Sequence, residues 1–219
     1  MNYSYLLPNW FFGFSIGMEL LFGIVTLLVA MFAFRIFSVT KERKTRLFGT
    51  SFLLIGLSYI IWAGINFWFS YIDPEGLREI TIEGLALIGV TSLYAYMILF
   101  ISGLVTLAYI ACDVKKGKVY YMLMGLSLLV IAASFYKLIS FRILSVFLIA
   151  VIAYHYLEEY LNNKNRKTFL VLLAFILLFL SSLVFAFSSA YYMAYVIGHI
   201  LELAAYMLIL INLIKSVKK

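Results

Sequence analysis

Apolar residues fill this chain in seven long runs, each about the length a membrane-crossing helix needs. They cover about residues 10–37, 47–72, 82–112, 119–136, 138–161, 168–187 and 190–214, and polar or charged links separate them. Asp73-Pro74-Glu75-Gly76 breaks the chain after the second run, and Ser188-Ser189-Ala190 turns it into the last. The pattern predicts an all-α integral membrane protein, one domain over 1–219 folded as a bundle of seven transmembrane helices. The first run lacks the basic start and short apolar core of a cleaved signal peptide, so it is expected to be retained.

Within the last run the polar positions are ordered. Tyr192, Tyr195, His199, Glu202 and Tyr206 follow at spacings of three, four, three and four, which puts all five on one helix face. A charged group near the bilayer centre costs at least about 2.5 kcal/mol, so this stripe is expected to face the bundle interior. On the second run Ser51, Ser58, Trp62 and Asn66 share a face in the same way.

Composition sharpens the class. Of the 219 residues 65% are hydrophobic and 12% charged, where a soluble domain carries roughly a quarter charged. Seven spans with short links leave no length for a soluble domain. The single Cys112 excludes an internal disulfide framework and a multi-cysteine metal site. Gln is absent, a depletion shared with thermophile proteins.

The net charge of +7 matters through its placement. With alternating sides, fourteen Lys and Arg fall on one side, from Arg35 and Lys41 through Lys164 to Lys219. Only three, Arg78, Lys137 and Arg142, fall on the other. The positive-inside rule then puts the N-terminus outside and the C-terminus in the cytoplasm, in the plasma membrane. Nucleic acid is not an expected partner. The basic face would hold anionic lipid or dock a cytoplasmic or membrane partner; a homo-oligomer is left open.

Orientation allows depths to be compared. Glu19 lies about nine residues into the first span, His199 and Glu202 about nine and twelve into the seventh, all within roughly 5 Å in depth. Asn66 is about six residues from the outer end of the second. In a closed seven-helix ring these spans are neighbours, so Glu19, Asn66, His199 and Glu202 are expected to converge on one outer-half ligand or ion site. Tyr192 and Tyr195 would lie above it and Tyr206 below. Ser181, Ser188, Thr91 and Tyr94 are candidates for further walls. Two carboxylates near one imidazole in a low-dielectric interior should share at least one proton, with coupled titration. The alternative is structural: interhelical hydrogen bonds among these groups, each worth about 0.6 kcal/mol.

The cofactor is open. His155 with Glu158 repeats the His-x-x-Glu spacing of His199 with Glu202, a spacing used in carboxylate-bridged metal sites of helix bundles. A metal would be held by His199, Glu202 and Glu19; His155 falls in the inner half, away from them. No retinal Schiff base is expected, because Lys215 lies at the end of the last span. No Gly-rich phosphate loop, Ser-x-x-Lys or His-Glu-x-x-His motif points to an enzyme. The leading expectation is a receptor-like or sensor-like protein binding a small ligand, ion or proton. A proton-coupled or cation transporter using the same Glu/His cluster comes second, and a metal- or haem-dependent membrane enzyme or electron carrier third.

Overall fold

The computed structural model describes residues 9–71, 82–113, 117–187 and 192–217. The Asp73–Gly76 break, the Ser188–Ala190 turn, Arg78, Lys115, Lys116, Lys218 and Lys219 lie outside them, as does the side chain of Tyr192. The described chain forms seven helices: α1 (Asn9–Thr40), α2 (Arg43–Tyr71), α3 (Ile82–Ala111), α4 (Gly117–Ala133), α5 (Lys137–Asn163), α6 (Arg166–Phe187) and α7 (Tyr192–Val217). Their bounds follow the apolar runs. Some run longer, and at Arg43, Lys44, Arg46 and Lys215 the added residues are basic ones whose long stems can carry the charge toward a membrane surface. α1, α3 and α5 end against Lys41, Asp113 and Lys164, with φ of 56°, 47° and 46°, in the left-handed conformation common after a helix.

Six of the helices, all except α4, are long and apolar enough to cross a membrane. α4 has 17 residues, about 26 Å at helical rise against a hydrocarbon core of about 30 Å. The protein is thus an α-helical, multi-pass membrane bundle.

The expected closed ring of seven is corrected to a ring of six. α1, α2, α3, α5, α6 and α7 close the ring in that order, and α4 packs outside it against α3 and α5. The reason lies in side-chain volume on α3 and α5. Tyr96 and Phe100 of α3 meet Phe141 of α5 directly, with ring centroids 5.4 and 5.6 Å apart, leaving no room for a helix between them. α4 buries only Ser127 and Ile131 and leaves Tyr121, Met122, Leu126 and Leu129 exposed, as suits a helix whose other faces meet lipid.

Helices consecutive in the ring run antiparallel except α3 with α5 and α7 with α1, which run parallel. Glu19 pairs with Asn66, Trp62 with Tyr96, Arg142 with the Phe185 carbonyl and Ser181 with the Gly198 carbonyl, each across an antiparallel helix pair. α1, α3, α5 and α7 therefore begin at one end of the bundle, here the upper end, where α2 and α6 finish. Two glycines permit close approach: a Cβ on Gly103 would lie 2.8 Å from the Ser51 carbonyl oxygen, and one on Gly198 2.7 Å from Phe185.

The lower half is dry. Val29, Phe52, Ile55, Ile101, Val105, Ile152, Phe175 and Ile209 are each at most 1% exposed there. The buried hydroxyls of this half turn back on their own helices: Thr26 donates to the Phe22 carbonyl (2.6 Å), Ser51 to Phe48 (2.7 Å) and Thr106 to Ser102 (2.7 Å).

Candidate functional site

The upper half holds a cavity of about 280 Å³ lined from all six ring helices. Glu19 comes from α1, Tyr59 and Trp62 from α2, Leu93, Tyr96 and Phe100 from α3, and Leu138, Phe141, Arg142 and Ser145 from α5. Ser182 and Phe185 of α6 and Tyr195, His199 and Glu202 of α7 complete the wall. Most of the wall is aromatic or aliphatic, and a few polar groups converge on it, the usual make-up of a small-molecule site.

Helical spacing delivers the α7 groups. Tyr195, His199 and Glu202 point inward from successive turns, and Tyr206 continues the stripe beneath the cavity. Tyr206 is 2% exposed and donates to Glu202 Oε1 over 3.3 Å. Tyr59 donates to the same oxygen, and the two phenols lie 3.1 Å apart. Together with Phe22, whose ring is 5.3 Å from Tyr59 and 6.0 Å from Tyr206, they make a floor of packed rings.

Glu19 is held separately. Ser15 donates to one carboxyl oxygen (3.3 Å) and the Asn66 amide to the other (3.2 Å). Ser15 also meets the Tyr195 hydroxyl at 3.2 Å, tying α1 to α7. Asn66 thus orients Glu19 from behind and is not itself a wall.

His199 is 4% exposed and lies among rings, with centroids 4.3 Å away at Tyr195, 5.0 Å at Phe185, 5.3 Å at Phe22 and 6.2 Å at Phe14. Among the described residues neither ring nitrogen has a hydrogen-bond partner. Glu19, His199 and Glu202 therefore share a cavity without bonding one another, and the anticipated proton sharing has no direct hydrogen bond to run through. A buried imidazole with both nitrogens unanswered forgoes roughly 1–3 kcal/mol per group, which an occupant of the cavity can restore.

Arg142, which enters the sequence reading only as one of three basic residues on the outer side, lines the cavity. Its Nη1 donates to the Phe185 carbonyl, leaving most of its five N–H groups for other partners. Among the described residues no carboxylate lies within salt-bridge distance of Arg142, and no cation within that distance of Glu19 or Glu202.

Several candidate walls are corrected. Ser181 is buried but donates to the Gly198 carbonyl at 3.0 Å, clamping α6 to α7; its neighbour Ser182 lines the cavity. Thr91 is exposed, and Tyr94 packs under Lys137 at 5.7 Å. Their helix turns past the cavity through Leu93, Tyr96 and Phe100. Ser188 falls outside the described residues. His155 is half-buried against Tyr156, about 27 Å along α5 from its start, so the two histidines are not brought together. Among the described residues no three His, Cys, Asp or Glu side chains are placed to hold a metal. The set Glu19, His199 and Glu202 does not fit that role.

Sequence reasoning missed Tyr59, Arg142 and Ser15. Tyr59 was signalled by spacing: it precedes Trp62 by three and Asn66 by seven, on the α2 face already marked. Ser15 stands four before Glu19. No family model matches the chain, nor does any curated protein or solved structure.

Proposed function

We propose that this protein is a receptor-like or sensor-like membrane protein that binds a small ligand in the upper cavity and works from one side of the membrane. One observation carries the reading: the polar cavity stops at the Tyr59–Tyr206–Phe22 floor, and the buried hydroxyls below it are satisfied by their own backbones. A transport path needs polar groups that a passing ion or proton can use, and this lower half offers aliphatic packing. An occupant of the cavity touches all six ring helices, so its binding energy can bias how they pack.

The excess of basic residues at the lower end supports an outward-facing cavity, with the N-terminus outside, the C-terminus in the cytoplasm and the plasma membrane as its location. In this arrangement α4 is the seventh, shorter span. The lower charges, among them Lys44, Arg46, Lys164 and Lys167, hold anionic lipid at about 1 kcal/mol each and leave a face for a partner that relays the signal.

The test is flux. In proteoliposomes with a trapped pH dye and an imposed proton or sodium gradient, leak should equal that of empty vesicles. A flux above that level, abolished by Glu202→Gln, would replace this reading by the proton-coupled transporter.

A further inference from the structure

Arg142 on α5 and the two glutamates, Glu19 on α1 and Glu202 on α7, line one cavity from non-adjacent helices and are not paired with each other. In the ring order α1, α2, α3, α5, α6, α7, the helix carrying Arg142 stands diametrically across from the helix carrying Glu19. With neighbouring axes about 8–10 Å apart, opposite axes of such a ring are roughly 16–20 Å apart. Depth separates the charges further. Arg142 is five residues into α5 and Glu202 ten into α7, a difference of about 7–8 Å at helical rise. Between these poles lie Trp62, Tyr96, Phe100 and Phe141, an apolar and aromatic passage.

Charges of opposite sign facing one poorly solvated space attract each other through it, yet are too far apart to meet. A ligand with one charge at each end satisfies both. We propose that the cavity takes a zwitterion whose ammonium and carboxylate are separated by an apolar spacer, a class typified by ω-amino acids. Its carboxylate lies against the free N–H groups of Arg142, which suit a planar two-oxygen acceptor. Its ammonium lies at the lower pole between Glu19 and Glu202, where aromatic faces add cation–π attraction.

The hydrogen bonds fit this division. Both phenols, Tyr59 and Tyr206, donate to the same oxygen, Oε1, of Glu202, and among the described residues Oε2 carries no bond, so one acceptor oxygen is left for an ammonium N–H. His199, between the Glu202 turn and Tyr195 and with neither nitrogen partnered, supplies a further acceptor. The cavity of about 280 Å³ lies just under the span of roughly 300–1,000 Å³ typical of ligand pockets, so the ligand is small. A molecule with both charges on one carbon reaches only one pole. An amine or an acid alone leaves one pole unanswered.

This proposal rests on the cavity being a ligand site, and the probes test the two separately. Equilibrium dialysis of the purified full chain in lipid nanodiscs would compare ε-aminocaproate with its isomer norleucine, with hexylamine and with hexanoate. ε-Aminocaproate should bind at least about tenfold more tightly than each, the worth of one charge-assisted hydrogen bond. Arg142→Gln should bring it down to the level of hexylamine, and Glu202→Gln toward that of hexanoate. A melting curve for each variant establishes that it is folded; the wild-type series stands without them. Equal or tighter binding of hexylamine, hexanoate or norleucine would overturn the zwitterion assignment and leave the ligand site standing. Binding of none of the four would also overturn the assignment. A proton or sodium flux in vesicles, by contrast, would overturn the one-sided site whatever the ligand.

Discussion

The upper and lower halves of this bundle are built from the same six ring helices and solve opposite problems. Above the floor of Tyr59, Tyr206 and Phe22, the helices stand around a cavity in which carboxylates, an arginine and an imidazole are exposed to a common space. Below it, the same helices close on aliphatic and aromatic side chains; among the described residues the polar contacts between helices there are the Thr106 and Tyr120 hydroxyls at 3.2 Å on the α4 side and, at the exposed lower rim, Lys44 with Asp113 and Lys167 with Ser216. In lipid, helices are held together by packing and by interhelical hydrogen bonds, since apolar side chains gain nothing by leaving the bilayer for one another. The lower half uses the first means. The upper half gives up packing density for a site and keeps its walls in place with the Ser15–Tyr195, Asn66–Glu19 and Ser181–Gly198 bonds. Close packing and the polar cavity thus fall in different halves.

That division is open to attack by mutation. The largest effect should come from Phe52→Ala, which removes a fully buried ring that packs on Phe48 at 4.8 Å and on Tyr206 at 6.4 Å. The loss should be about 3 kcal/mol, the low end for a buried aromatic, because in lipid it is packing and not transfer from water that is forfeited. A denaturation curve in mixed micelles reads it directly; a change no larger than that of an upper-half variant would remove the contrast.

The smallest effect should come from Asn66→Ala, which deletes one donor to Glu19 while Ser15 remains. About 0.6 kcal/mol of stability should be lost, typical for an interhelical hydrogen bond in a membrane. Ligand binding should suffer more than stability, since Asn66 fixes where Glu19 points. If the same measurement gave a loss comparable to Phe52→Ala, the upper half would have to be counted as a structural clasp.

Much of this was legible in the sequence, for reasons tied to particular residues. Span limits could be read because lipid imposes a length and bans charge, so the third run, expected over 82–112, ends at Ala111. The α7 stripe could be read because a three-and-four spacing has one geometric meaning, and Tyr195, His199, Glu202 and Tyr206 do face inward. What could not be read is which helices touch. Ring order depends on side-chain volumes at Tyr96, Phe100 and Phe141, and no local pattern reports that α3 meets α5 past α4. Arg142 was missed because a charge in the second turn of a span resembles an interfacial residue, and only the fold shows the cavity beneath it. Tyr59, by contrast, was legible: it stands three before Trp62 and seven before Asn66 on the polar face of the second run.

Sided cysteine labelling tests the division most directly. In a Cys112→Ser background, single cysteines replace Ser182 on the cavity wall, and Thr26 or Ser51 below the floor. A membrane-impermeant methanethiosulfonate is applied to one face of oriented membranes at a time. The account predicts that Ser182→Cys reacts from the outer face only, and that Thr26→Cys and Ser51→Cys react from neither. Labelling of Thr26→Cys or Ser51→Cys from the cytoplasmic face, or of Ser182→Cys from both faces, would contradict it.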